Sequence, residues 1–296
     1  MTVSVLDKLS ALLADLTPEQ RDRLADLLTK SGQPIGSMVD SVVPFVHSWL
    51  RAEVDGDFSV YENANAMKSP PVTRDFAGAV EIGLPAPAAE LAVPLGEVVT
   101  RRRSKHHAEA DAMSLAELST FLHWTAGVKN RIPAYNHKEF PVRMTPSAGG
   151  LQPVDIYLVA NSVDGVDQGV YYYQPDRHVL QQRDQGNVRW RLMRACIYAD
   201  WIAYSPVVFV LTVDMRRVHW KYGDRGYRFA HVDAGVLAQS MYLTGTALEW
   251  NVCAVAAFYD EFVNRLVNVD GREQFTTLLF AASHPPVASI LTDYRD

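Results

Sequence analysis

The spacing of apolar residues changes character several times along the chain, and each change predicts an element. Residues 3–31 repeat leucine and alanine at helical spacing and predict two helices. The second opens at Thr17, with Pro18 in the first position and Gln20 at the capping-box position. Leu24, Leu27 and Leu28 follow on one face, and Gly32 is the stop. Residues 52–98 are rich in proline, alanine and acid, with "KSPPV" and "GLPAPAAELAVP", and have little periodicity. An extended arm of this length needs a surface to lie on, often that of a second subunit. Beyond it the pattern tightens. Ser114 and Glu117 form a capping box for a helix that stops at Gly127. "VDIYLVA" (154–160) and "GVYYYQP" (169–175) predict strands joined by the turn-rich "NSVDGVDQ", and "HVLQQ" continues the meander. The unbroken β-branched run "SPVVFVLTVD" (205–214) predicts a buried strand. The small-and-apolar 232–250 predicts a central buried helix, and "NVCAVAAF" and "TTLLFAAS" predict further strands. Hairpins mixed with long connections give an α+β fold with a mixed or antiparallel sheet sandwiched by helices.

Composition narrows the reading. At 296 residues and 48% hydrophobic, the chain can form one large domain or two small ones. A net charge of -6 gives no reason to expect nucleic acid as a partner. Cys196 and Cys253 form no CxxC and have no metal-ligand spacing, which argues against a disulfide framework or a structural zinc. No secretory signal opens the chain and no apolar run is long enough for a bilayer, so a cytoplasmic protein without a membrane partner is expected. No HExxH, GxSxG, Walker A or GxGxxG pattern is present, and no metal site is predicted.

Three segments concentrate chemistry. In "RRRSKHH" (101–107) six of seven residues can be cationic and the serine can donate, which suits phosphate as readily as it suits a solvated face. In "MTPSAGG" (144–150) the glycine pair lets backbone approach a flat ligand, or makes a tight turn before a strand. The third, "HWKYGDRGYRF" (219–229), sets Lys221 beside Tyr222 just beyond a strand. Arg225 and Arg228 nearby predict a lowered lysine pKa and hence proton transfer near neutral pH. The alternative is a lysine snorkelling at a strand edge above a core tyrosine.

The order of these segments resembles the SagB-type flavin oxidoreductases, a branch of the nitroreductase superfamily that includes the azoline dehydrogenases of ribosomal peptide natural products. The resemblance covers about residues 95–290. It rests on "RRRSKHH", "RMTPSAGGLQPVDIYLV", "GVYYYQPDRHVLQ" and "KYGDRGYRF…DAGVLAQSMYL". "FSVYENANAMKSP" (58–70) is similar to a segment that precedes the domain in that branch.

The resemblance implies a nitroreductase-like FMN-binding domain over 99–296, preceded by an N-terminal helical extension (1–50) and the arm (51–98). It implies FMN at a homodimer interface. By position, Arg102, Ser104 and His106 would meet its phosphate, ribityl chain and pyrimidine. Pro146, Ser147, Ala148 and Gly149 would line the ring from the neighbouring side. After the central helix the family has a glycine-rich stretch touching the flavin. Here 248–257 lacks those glycines, and Val255 and Ala256 fall at the flavin. Lys221 and Tyr222 fall on the dyad proposed to be catalytic in azoline dehydrogenases. The implied function is oxidation of thiazoline or oxazoline rings in a modified precursor peptide, with a cyclodehydratase complex as a further partner. The alternatives are an NAD(P)H-using flavin reductase, an oxidase of carrier-bound thiazolines, and a non-catalytic scaffold subunit.

Overall fold

The structure is a computed structural model that describes Thr17 and residues 68–106, 111–197 and 199–285. Two compact units divide the chain, Met1–Phe58 and Ser59–Asp296, and apart from Thr17 the described residues belong to the second. The helices predicted over 3–31 and the arm before Lys68 lie outside the described residues.

Nine strands are described: β1 (Glu81–Gly83), β2 (Val128–Ala134), β3 (His137–Arg143), β4 (Val154–Ala160), β5 (Gly169–Gln174), β6 (Val179–Gln185), β7 (Val207–Asp214), β8 (Asn251–Val255) and β9 (Gln274–Ser283). Seven form one sheet in the order β1-β6-β5-β4-β7-β9-β8, and every neighbouring pair is antiparallel. The long connections that the sequence left open as parallel crossovers therefore return each strand in the opposite sense.

Both faces of this sheet are buried, and period-two alternation divides the side chains between two cores. On β7, Val207, Phe209, Leu211 and Val213 face one core, while Val208 and Val210 face the other. This explains why its sequence is apolar without a break. The first core is covered by α2 (Leu115–Ala126), α4 (Met215–Tyr222) and α5 (Gly226–Ala247), preceded in the chain by the short α1 (Leu95–Arg101). The second is covered by α3 (Arg189–Ala195) and α6 (Asp260–Val267).

The predicted capping box opens α2. Ser114 Oγ accepts the Glu117 N–H at 3.2 Å, and Glu117 Oε2 accepts the Ser114 N–H at 3.2 Å. The helix then lays Phe121 against Phe209 and Trp250, each with ring centroids 4.9 Å apart. Ser114→Ala is expected to cost about 1 kcal/mol, a fall in Tm of about 2–4 °C by thermal circular dichroism.

Residues 68–98 find their surface on the chain's own sheet. Arg217, 1% exposed, holds Asp155 through two hydrogen bonds of 2.8 and 3.0 Å. It also donates to the Pro71 carbonyl at 3.1 Å. The buried Arg143 donates to the Val72 carbonyl at 2.6 Å. Arg74 reaches Asp214 at 2.8 Å, and β1 adds an edge strand beside β6. Arginine suits this task because its fork grips a carboxylate with two donors and keeps others for backbone carbonyls.

Candidate functional site

The segment 219–229 does not follow a strand directly. Asp214, the last residue of β7, caps a new helix by accepting the Arg216 N–H at 3.2 Å, and α4 begins at once. Burial opposes the charge on Asp214, but Arg216, Arg217 and Arg74 overcome it and hold the carboxyl below its usual range. Lys221 and Tyr222 close the last turn of α4, and Gly223 stops it at φ 55°, ψ −145°. A 3-10 turn (Gly223–Arg225) then leads into α5. The second glycine, Gly226, is the first residue of that long helix, six residues earlier than the predicted start. Lys221 lies four residues after Arg217, hence on the same helix face. The Arg217–Asp155 clamp therefore sets the rotation of α4 and the aim of Lys221.

The 144–150 segment approaches this point from the other side. Ser147 is extended, and Ala148–Gly150 make one 3-10 turn in which Gly149 takes φ 59°, ψ 13°. The Ala148 N–H is held by both carboxylate oxygens of Asp233 on α5, each at 3.0 Å. Ser147 Oγ accepts the Gln152 N–H at 2.9 Å. Pro146 and Gly149 are exposed. A Cβ on Gly149 would lie 2.5 Å from the Tyr222 hydroxyl and 3.4 Å from Lys221 Nζ. The structure thus brings Lys221, Tyr222 and Gly149 together.

A residue that the sequence reading did not single out completes the contact. Tyr135 donates to the Gly149 carbonyl at 2.7 Å and accepts from Lys221 Nζ at 2.9 Å. It sits in the two-residue turn between β2 and β3, where Tyr135 and Asn136 have φ 50° and 60°. Two successive positive-φ residues suit a two-residue hairpin turn, and Asn136 is its one signal in the sequence. Pro133 and Pro141 in its strands obscure it.

The electrostatics differ from the expectation for Lys221. Burial pulls its pKa down, but the Tyr135 hydrogen bond and the Tyr222 phenol outweigh burial, and the net shift is upward. The cations expected to lower it do not dominate. Burial also raises Tyr222, which the Lys221 charge only partly offsets. At neutral pH the pair is an ammonium beside a phenol.

Burial pushes Asp233 up to about 6, against the favourable Ala148 N–H. A carboxyl whose folded pKa is raised favours folding most when protonated. Its contribution is full below the ordinary 3.8 and is lost as pH rises through about 6. Melting curves of the wild type should therefore lose Tm across that interval relative to Asp233→Asn. Parallel pH profiles for the two proteins would contradict this.

The first basic segment lies beside a different part of α5. Residues 102–106 run beside β8, with the Lys105 N–H donating to the Val252 carbonyl at 2.9 Å. Ser104 Oγ lies 2.9 Å from the Tyr242 hydroxyl, which accepts the Ala254 N–H at 2.9 Å. The Arg102 guanidinium stands 5.4 Å from the Tyr242 ring centre. Arg101 instead bonds Glu97 and Glu249, and Arg103 turns back to the Thr100 and Arg102 carbonyls. Among the three arginines, Arg102 alone shares the tyrosine with Ser104. The His106 ring stacks on Trp201 at 4.0 Å. Ala256 is exposed, whereas the Val255 side chain is buried in the second core.

Asp233 and Tyr242 are nine residues apart on α5, about 13 Å along the axis and roughly 180° around it. The two halves of the predicted cofactor site therefore lie at separate places on one chain. Among the described residues no cluster of three or more His, Cys, Asp and Glu is placed to hold a metal ion, and no helix is long and apolar enough to cross a membrane.

The family model for the Nitroreductase family matches residues 99–282, more than half of the chain. A nitroreductase-family protein of Methanocaldococcus jannaschii is 32% identical over 177 residues, which span 60% of this chain and 85% of that protein. A nitroreductase-family structure from Anabaena variabilis aligns at TM-score 0.59 and 23% identity over 74% of this chain and 44% of that one, so this chain spans less than half of its length. A chain of the Escherichia coli microcin synthetase McbBCD complex with truncated pro-MccB17 bound aligns at TM-score 0.54 and 15% identity over 96% of this chain and 98% of that one.

Proposed function

The chain belongs to the nitroreductase family, a family of flavin-type oxidoreductases, and we propose that within it the protein is an FMN-dependent azoline dehydrogenase. It oxidises thiazoline or oxazoline rings of a ribosomally made peptide to thiazoles or oxazoles. The observation that carries this reading is the placing of Lys221 and Tyr222 beside the exposed, side-chain-free Gly149. A flat ring can approach that glycine closely, with a proton-handling pair at its edge.

The residues fit FMN in two ways. Ser104, Lys105 and His106 are exposed beside Arg102 and Tyr242, a donor set suited to a phosphate and a sugar-like chain. Pro146, Ser147, Ala148 and Gly149 offer a backbone surface to the ring. The separation of these two groups along α5, which they contact at Tyr242 and Asp233, supports a homodimer in which one chain supplies the first and its partner the second. Ala256 fits the ring wall better than Val255, and His106 would contribute through the ring it stacks on Trp201. Bound FMN would supply the two-electron acceptor for hydride from the azoline. The chain's own residues hold the rings together and manage the proton that also leaves. Lys221 takes it in its amine form, with Tyr222 keeping the nitrogen directed. Covering the site strips water from the ammonium and raises the amine fraction.

The likeness over nearly the whole chain to a subunit of the peptide-bound microcin synthetase is in keeping with a peptide substrate and a heterocyclase complex. The test is incubation of the FMN-loaded protein with a heterocyclised peptide. Each azoline should become lighter by one pair of hydrogens in the mass spectrum. Rapid NAD(P)H consumption with no change in peptide mass would favour a reductase and overturn the reading.

A further inference from the structure

We propose that Tyr135 is a positioning residue for Lys221, a phenol that fixes the direction of the lysine from a hairpin outside the predicted motifs. The inference rests on the reading of Lys221 as the proton-handling group.

The polarity of the contacts makes the case. The Gly149 carbonyl can only accept, so the Tyr135 O–H must donate to it across 2.7 Å. An ammonium can only donate, so Lys221 Nζ–H must point at the Tyr135 oxygen across 2.9 Å. One phenol thus joins the hairpin, the 144–150 loop and α4 in a chain whose direction cannot be reversed while the lysine is charged. Its ring is fixed on two further sides, with Phe140 at 5.2 Å and Trp220, the neighbour of Lys221, at 5.5 Å. The backbone is held as well, since the Tyr135 carbonyl accepts the Ser69 N–H from the arm at 3.3 Å.

A hydrogen bond accepted from the ammonium favours the charged form. The groups facing Lys221 are Tyr135 from the hairpin and Tyr222 on its own helix, with Asp233 of α5 acting on Tyr222. Burial pulls the lysine pKa down, and of the groups opposing it Tyr135 contributes most. Removing its hydroxyl while keeping the ring should release Lys221 in two ways. The lysine titrates at lower pH, and it samples directions away from Gly149.

The experiment compares the full FMN-loaded wild type with Tyr135→Phe, which retains the contacts to Phe140 and Trp220. The pH dependence of Lys221 acetylation, read by peptide mass spectrometry, reports its protonation without any turnover. The midpoint should move to lower pH in the variant. The limiting rate of azole formation at high pH should fall about tenfold or more, with KM within about twofold of wild type. An unmoved midpoint, or an unchanged limiting rate, would overturn the proposal. If the midpoint moves as expected but the wild type oxidises no azoline, the assigned reaction fails while the coupling of Tyr135 to Lys221 stands.

Discussion

Lys221→Ala should lower the rate of azole formation about 10²–10⁴-fold, the usual range for losing a positioned acid–base group, and should leave FMN bound. The lysine lies on the last turn of α4, away from the 102–106 segment, so its removal does not touch the residues expected to hold the phosphate. Nor does it disturb the clamp that fixes the helix, because Arg217 is buried one turn earlier against Asp155 of β4. Lys221→Arg discriminates between two roles. A guanidinium keeps the charge but does not give up its proton. If the lysine works as a base, the arginine variant is as slow as the alanine one. If only a cation is needed, it retains most of the rate. The assay is azole formation by mass spectrometry, with flavin content from visible absorbance. Full activity in Lys221→Ala would remove the residue from the chemistry.

Gly149→Ala should be nearly as damaging to turnover, at about 10²-fold, through geometry alone. The new Cβ would lie 2.5 Å from the Tyr222 hydroxyl, a distance that forces the phenol aside, and 3.2 Å from that of Tyr135. Displacements of the order of 1 Å at a reacting site can lower the rate about 100-fold. The left-handed φ of 59° adds strain of about 1–2 kcal/mol for a residue with a Cβ. The expected fall in Tm is therefore modest, about 2–8 °C. A variant that folds and turns over at the wild-type rate would show that turnover does not depend on where the Tyr222 hydroxyl sits.

The sheet was legible in the sequence because both its faces are buried. The run over 205–214 could only be a strand packed on two sides, and the turn signals around "NSVDGVDQ" placed β4 and β5 as neighbours. The β2–β3 hairpin was not legible. β2 is mostly exposed, β3 is buried only towards its end, and each contains a proline, so neither apolar alternation nor propensity marks the hairpin. α4 was missed for a different reason. Its eight residues are mainly polar and cationic, and what makes them helical is the Asp214 cap and the buried grip of Arg217 on Asp155. Those contacts are set by the sheet. Lys221 and Tyr222 were found through a resemblance in short motifs. Tyr135, 86 residues away in sequence, belongs to none of them and meets the lysine only in the folded chain. The direction of the lysine's pKa shift was misread because sequence neighbours, Arg225 and Arg228, stood in for spatial ones. In space its partners are phenols.

The central claim is that Gly149, Lys221 and Tyr222 form the oxidising face of a flavin site for azoline rings. Its most direct test is a single turnover without oxygen, in which FMN-loaded protein is mixed with a heterocyclised peptide and the visible absorbance of the bound flavin is followed. The account predicts that the yellow colour bleaches as the peptide loses one pair of hydrogens per ring, and that Lys221→Ala bleaches at least about 100-fold more slowly. A wild-type protein that takes up no flavin, or whose flavin stays oxidised in the presence of the peptide, would contradict it.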